Sequence, residues 1–359
     1  MQHGAHSTQT LEKPEDVAGL ARQKRVVFAL GPESQEHFLR HFDPASLPAA
    51  KCEAVDLPSL DPTAWEFLLC ERQPDVLVTG WGTPTLPERY AAAPDLSLQY
   101  VCHLAGSVRQ IVPRALIEKG VLVSNWGTLT SVAVAEHALL LTLGALRNLP
   151  AWNDYMNVWP RYSKPPVHLP LETRLLHGKR VGIHGFGSIA RALVRMLAPF
   201  GVELAAYSRG VPAELFERHG VARCGSLKEL FSRSDVLVEC EALTPQNQGT
   251  VDAATLRCLP AGAAFINVGR GQLVDEDALA QIAVEKKLRL GLDVFCEEPL
   301  PLNSRLRTMP SALLSPHIAG PARDGLADLC KFAAANLQRY FNGQEIESQV
   351  SLEIYDRST

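Results

Sequence analysis

Two kinds of pattern in the 359-residue chain can do chemistry: a glycine loop, and a set of apolar runs that each stop at a polar group. The loop is Gly185-Phe186-Gly187-Ser188-Ile189-Ala190, preceded by the strand-like Lys179–His184 and followed by a helical pattern from Arg191 to Pro199. Strand, glycine loop and helix stand in the order a dinucleotide fingerprint requires. Gly185 permits the tight turn, Gly187 lets backbone approach a pyrophosphate, and the third position needs only a small residue such as Ala190. Phosphate oxygens can then accept from the unsatisfied N–H groups at the helix start.

A second strand, Val202–Tyr207, follows where the fingerprint expects it, but it closes on Ser208-Arg209 and not on an acid. A carboxylate at this point bonds the ribose 2′-hydroxyl and repels a 2′-phosphate, whereas a hydroxyl and a guanidinium can hold that phosphate. The pattern predicts NADP or NAD as cofactor, with NADP favoured. The competing reading leaves Arg209 as a solvated surface charge.

The polar-ended runs are Phe265–Arg270, Gly291–Glu298 and Leu314–His317, which present Asn267 and Arg270, Asp293 and Glu298, and His317. In an open parallel sheet, groups just beyond the carboxyl ends of strands line the ligand crevice. The elements that must position them are legible along the chain. Val26–Leu30, Val76–Thr79, Leu98–Cys102 and Val121–Val123 read as strands, with a helical stretch at Pro113–Lys119. Strands alternating with helices predict parallel sheets covered on both faces. Val132–Leu146 is apolar on nearly every side, which predicts an enclosed helix where two domains or two subunits meet. The stretch after it, Leu149–Pro170, carries Trp152, Tyr155, Trp159 and Tyr162 among five prolines and reads as an arm or boundary.

Composition narrows the function classes. Apolar residues at 46% and charged residues at 21% describe a globular protein of about two domains. The net charge of −4, with no long run of either sign, excludes a phosphate-backbone partner. Eight cysteines form no C-x-x-C pair and no zinc-type ladder, so no metal is expected. The first twenty or so residues lack the apolar stretch of a secretory signal and are expected to be disordered. No segment is long and apolar enough to cross a bilayer. The expectation is a cytoplasmic protein without a membrane.

Further motifs make the chain resemble the D-isomer-specific 2-hydroxyacid dehydrogenases. The match runs from about residue 76 to about residue 320 through Val134-Ala135-Glu136, the glycine loop, Leu243-Thr244-Pro245, Asn267-Val268-Gly269-Arg270-Gly271, Asp293-Val294-Phe295 with Glu298-Pro299, and Ser315-Pro316-His317. The resemblance implies a doubly Rossmann-like α/β fold with parallel sheets: a dinucleotide-binding domain at 128–319, inserted into a discontinuous substrate domain made of 1–127 and 320–359. It implies that Arg270, Glu298 and His317 are catalytic. A planar guanidinium at Arg270 can grip a carboxylate and polarise the neighbouring carbonyl. His317 can give a proton to that carbonyl oxygen, and Glu298 can bond the other ring nitrogen and favour imidazolium. It further implies cofactor contacts by Gly185, Gly187, Ser188, Ile189, Thr244, the Val268–Arg270 backbone including Gly269, and Asp293 at the nicotinamide carboxamide. A small 2-oxo or 2-hydroxy acid substrate and a homodimer follow from the same likeness.

The first half departs from the family pattern. Where a G-x-G-x-D-x-x-D type segment is usual, the chain has His103-Leu104-Ala105-Gly106-Ser107-Val108-Arg109, without either acid. Backbone N–H groups at Ala105, Gly106 and Ser107 can still form an anion nest for a substrate carboxylate. The Thr79–Thr83 loop, with Trp81, is expected to form the other wall of the pocket. Two alternatives stand beside the dehydrogenase: a dinucleotide-sensing, corepressor-like binding protein of the same fold, and a formate or phosphite dehydrogenase. Relatives with formate activity carry glutamine where Glu298 stands.

Overall fold

The computed structural model describes residues 22–57, 61–158 and 172–357. The N-terminal segment expected to be disordered, and most of the proline-rich stretch with Trp159 and Tyr162, lie outside these residues.

The first half alternates strand and helix: β1 (Lys24–Ala29), α1 (Pro32–Leu39), β2 (Ala50–Ala54), α2 (Pro62–Arg72), β3 (Val76–Gly80), α3 (Glu88–Ala92), β4 (Tyr100–Leu104), α4 (Arg114–Glu118) and β5 (Leu122–Ser124). These strands form one parallel sheet in the order β2-β1-β3-β4-β5. Its faces follow the period of two. Val26, Phe28, Val76, Val78, Tyr100 and Cys102 enter one core, and Val27, Ala29, Leu77 and Val101 enter the other.

Two helices, α5 (Ser131–Arg147) and α6 (Leu149–Val158), lead to the second sheet. Its elements are β6 (Arg180–His184), α7 (Ser188–Leu197), β7 (Glu203–Tyr207), α8 (Ala213–Arg218), β8 (Ala222–Arg223), α9 (Leu227–Ser232), β9 (Val236–Glu239), α10 (Ala253–Leu256), β10 (Ala264–Asn267), α11 (Glu276–Lys286), β11 (Arg289–Leu292) and β12 (Ala312–Leu314). The sheet is parallel throughout, in the order β12-β11-β10-β9-β6-β7-β8. The strand order reverses between β6 and β9, and a crevice opens at such a switch point above the carboxyl ends.

The chain then returns to the first sheet. Helix α12 (Leu326–Phe341) buries Leu329, Cys330, Ala333, Ala334 and Leu337 against the core that contains Phe28 and Cys102. Helix α13 (Leu352–Arg357) seats Tyr355 on the opposite face, where its hydroxyl donates to the Val112 carbonyl at 2.8 Å.

Within one chain, the helix expected to be enclosed at Val132–Leu146 is covered on one side. Helix α5 buries Ala135, Ala138, Leu141, Thr142 and Ala145, a helical stripe, yet leaves Val132 at 48% and Leu140 at 55% exposure on its other side. Leu129, Leu149 and Met156 are exposed nearby along the chain. The outer face of α5 has no cover among the described residues.

Candidate active site

The glycine loop is built as the fingerprint requires. Gly185 has φ +89°, and a Cβ there would stand 2.7 Å from the Glu241 backbone, so a side chain is excluded on two counts. Gly187 caps α7 without any side-chain hydrogen bond, and a Cβ on it would meet nothing within 4 Å. Gly187 thus offers no side chain to the first-turn N–H groups of this ten-residue helix. Ala190 is fully buried where α7 meets the sheet. Ser188 sits at the helix start and accepts from Ser131 of α5 at 2.8 Å, and Ile189 is half-buried beside it. A helix start with no side-chain cap, beside a left-handed glycine, fits a dinucleotide pyrophosphate.

The polar strand ends converge because β10, β11 and β12 are neighbours. Beyond β10, Val268 is buried, Gly269 donates to Asn267 Oδ1 at 3.0 Å, and Arg270 donates to the Gly269 carbonyl at 2.7 Å. The next residue, Gly271, packs so tightly on the loop after β11 that a Cβ would fall 1.9 Å from the Phe295 carbonyl carbon. This close approach brings Arg270 and Glu298 into one neighbourhood. Burial lowers the Arg270 pKa from its ordinary value, and the Glu298 charge acts against that fall.

Glu298 is held at both oxygens. Its Oε1 accepts from the Phe295 N–H at 3.0 Å, and its Oε2 lies 2.7 Å from His317 Nδ1. The His317 side chain is 46% exposed and its backbone has φ +54°, a left-handed conformation that costs a non-glycine residue about 1–2 kcal/mol. Such strain persists where surrounding bonds over-determine it. Here the His317 N–H donates to Asp293 and Ser315 carbonyls.

Asp293 supplies those surroundings. It is fully buried, and its Oδ1 accepts from Ser315 Oγ at 2.6 Å and the Ile318 N–H at 3.0 Å, while Oδ2 accepts from the Ala319 N–H at 2.9 Å. Burial alone would raise its pKa, but these donors and His137 hold it at about 2. Its carboxylate is turned onto the loop carrying His317, whereas the sequence reading gives it to the nicotinamide carboxamide.

A different part of the crevice departs from the sequence reading. No acid ends β7 in the sequence, but the fold brings one there from β9: Ser208 Oγ donates to Glu241 Oε2 at 2.9 Å. Arg209 is exposed and lies 3.4 Å from the Tyr207 hydroxyl. Beneath Glu241, Glu239 accepts the Glu241 N–H at 2.9 Å and pairs with His184 Nδ1 at 2.6 Å. Burial opposes charge on His184, but the Glu239 charge and hydrogen bond outweigh it and raise its pKa.

Sequence similarity to known proteins agrees with this geometry. The NAD binding domain model of the D-isomer specific 2-hydroxyacid dehydrogenases matches residues 139–319. The chain belongs to that family. A glyoxylate reductase of Thermococcus kodakarensis is 31% identical over 292 residues, covering 79% of this chain and 85% of that one. A D-3-phosphoglycerate dehydrogenase of Methanocaldococcus jannaschii is 28% identical over 293 residues, covering 81% of this chain; the chain spans only 54% of that relative's length. Among solved structures, a glyoxylate reductase from Paecilomyes thermophila superposes with a TM-score of 0.77 at 23% identity, covering 91% of this chain and 98% of that one, and so shares the fold.

The remaining expected contacts of this family member fall in two places. Thr244, past β9, donates its N–H to Asn247 Oδ1 at 2.6 Å. Trp81, Ala105, Gly106 and Ser107 stand on the other sheet, beyond β3 and β4. Trp81 is 54% exposed and sits edge-on to the buried Trp126, ring centroids 5.3 Å apart. Ala105 is buried, its carbonyl accepting from the Trp126 N–H, while a Cβ on the exposed Gly106 would meet nothing within 4 Å. His103, bonded to Thr79 at 2.9 Å and to the Ser107 backbone, fixes this loop, and burial pushes its pKa down to about 4. Among the described residues no His, Cys, Asp and Glu group of three could hold a metal, and no helix is long and apolar enough to cross a membrane.

Residue-by-residue reading missed Glu239, Glu241, His184 and His137. The first two had a signal: acids at alternate positions at the end of an apolar run point to the same side.

Proposed function

We propose that the chain is an oxidoreductase that interconverts a small 2-oxo acid and the corresponding D-2-hydroxy acid with a nicotinamide dinucleotide. The observation that carries this reading is the 2.7 Å Glu298–His317 bond, placed with Arg270 on adjacent strand ends of a sheet whose glycine loop fits a pyrophosphate. When bound, the reduced dinucleotide supplies the hydride. Gly185, Gly187, Ser188 and Ile189 would hold its pyrophosphate, and Thr244, Val268 and Gly269 its nicotinamide half.

Arg270 orients the substrate carboxylate and polarises the adjacent carbonyl. His317, with Nδ1 committed to Glu298, presents Nε2 to the substrate oxygen and donates a proton there in reduction, or removes one in oxidation. Glu298 stabilises the imidazolium and fixes the ring. Asp293 positions the histidine loop. Trp81 and the Ala105–Ser107 backbone form the substrate wall contributed by the first sheet.

The same proposal divides the chain into a dinucleotide domain, 128–319, nested in a substrate domain, 1–127 with 320–359. The separate sheets, and the packing of α12 and α13 on the first, support that division. Exposed apolar residues on α5 and α6 support a homodimer. For the choice of dinucleotide, Ser208 and Arg209 speak for NADP and Glu241 speaks against it.

A screen of glyoxylate, hydroxypyruvate, pyruvate and branched 2-oxo acids with NADH and NADPH tests the activity. Turnover of at least one acid is expected. Tight dinucleotide binding with no turnover of any would overturn the enzyme in favour of a dinucleotide sensor.

A further inference from the structure

Discrimination at the ribose 2′-position ordinarily falls to the residue that ends the second strand of the fingerprint. Here that strand is β7, and the residue is Ser208, 7% exposed, with its single hydroxyl proton already given to Glu241 at 2.9 Å. A serine hydroxyl has one hydrogen to donate, so in this arrangement Ser208 has none left for a 2′-phosphate. The acceptor it serves comes from the other side of the switch point.

Glu241 lies past the end of β9, and β6 runs between β9 and β7. To reach Ser208 its side chain must cross the end of β6, where Gly185 stands without a side chain; a Cβ there would lie 2.7 Å from both Glu241 Cα and N. The glycine of the phosphate loop thus also admits the backbone that carries Glu241. Three bonds fix the crossing. Glu239 accepts the Glu241 N–H at 2.9 Å, the Ala242 N–H donates to Glu241 Oε1 at 3.1 Å, and Ser208 donates to Oε2. The His184–Glu239 pair anchors the base of this network at 2.6 Å.

We propose that Glu241, held by Ser208, is the carboxylate that reads the adenosine ribose, so that the chain binds NAD(H) in preference to NADP(H). The inference rests on the dinucleotide reading given above and decides what that reading leaves open. Each Glu241 oxygen has a lone pair free to accept from a ribose hydroxyl. A 2′-phosphate brings only acceptors and negative charge to the same place, and it meets repulsion. Arg209, exposed and directed at the Tyr207 hydroxyl, remains a surface charge.

The test is calorimetric titration of the protein with NAD⁺ and NADP⁺, with no substrate present. NAD⁺ is expected to bind at least about tenfold more tightly, the scale of a charge-assisted bond exchanged for a like-charge contact. Glu241→Gln should narrow the ratio by about tenfold, mainly through tighter NADP⁺ binding, with an unchanged melting temperature as the folding control. Ser208→Ala, which frees the carboxylate without removing it, should weaken NAD⁺ binding by a few-fold and serves if the glutamine variant misfolds. Arg209→Ala should leave the ratio unchanged. Equal or tighter NADP⁺ binding by the wild type overturns the inference, as does a Glu241→Gln ratio identical to it, or a tenfold loss of NADP⁺ affinity in Arg209→Ala. Binding of neither dinucleotide overturns the cofactor reading and this inference with it.

Discussion

The molecule contains the same two-residue unit twice, in opposite surroundings. Glu298–His317 and Glu239–His184 are both carboxylate–imidazole pairs made through Nδ1, at 2.7 and 2.6 Å. The side chains of the first are 36% and 46% exposed, those of the second 0% and 6%. The first pair sits on loops beyond β11 and β12, with its histidine in a strained left-handed conformation; the second sits within the ends of β6 and β9, in extended backbone. A proton on the first can pass to a ligand. The second is sealed from any ligand and holds the framework under the glycine loop. Exposure and backbone, and not residue type, separate a group that can do chemistry from one that holds a framework.

The largest expected effect breaks the exposed pair. His317→Ala should lower kcat by about 10²- to 10⁴-fold, the range for a lost general acid, with little change in melting temperature. Comparable turnover in steady-state assays would show that the proton comes from elsewhere. Breaking the sealed pair should do the opposite. Glu239→Ala removes the partner that favours charge on His184, so the buried ring sheds its proton, and it leaves the Glu241 N–H without its acceptor; the loss should be about 1–3 kcal/mol in denaturant unfolding. Because His184 is raised above its unfolded value, its contribution is full below about pH 6.5 and fades as pH climbs through the raised folded value.

Glu298→Gln removes a charge-assisted bond of about 1.5–3 kcal/mol, which corresponds to roughly a 10- to 100-fold loss of kcat at 1.4 kcal/mol per tenfold. A loss confined to KM would make Glu298 a binding residue instead. The smallest effect concerns a third contact of this type, His137 Nε2 to Asp293 at 3.3 Å. Asp293 falls from 3.8 unfolded to about 2 folded, so it stabilises by about 2 kcal/mol above pH 4 and loses this as pH falls toward 2. Asp293→Asn should be less stable by that amount at pH 7 and converge on the wild type near pH 2, read from urea midpoints across pH.

The exposed pair was legible in the sequence through the family motifs that carry it, and the sealed one, which lies in no such motif, was not. Arg270, Glu298 and His317 follow the ends of β10, β11 and β12, which are consecutive in the chain and adjacent in the sheet, so reading order and spatial order coincide. His184 and Glu239 meet because β9 crosses back beside β6, an adjacency that no local pattern encodes. Glu241 meets Ser208 across the same crossing, and its trace in the sequence is its alternation with Glu239. Strand β2 was missed on different grounds. Ala50-Lys51-Cys52-Glu53-Ala54 has weak strand propensity and lies at a sheet edge, so its pairing with β1 decides its conformation. The outer face of α5 is a different case: apolar composition predicts burial, yet says nothing of which chain supplies the cover.

Helix α5 touches the crevice at both ends of its chemistry. Ser131 in its first turn bonds Ser188 at the glycine loop, and His137 lies 2.8 Å from Ser315 in the loop that carries His317. At 1.5 Å per residue these two attachments are about 9 Å apart along one stiff rod. The same rod turns Val132 and Leu140 outward. One helix thus ties the glycine loop to the loop that carries His317, and its outward side is the surface through which a bound partner would bear on both.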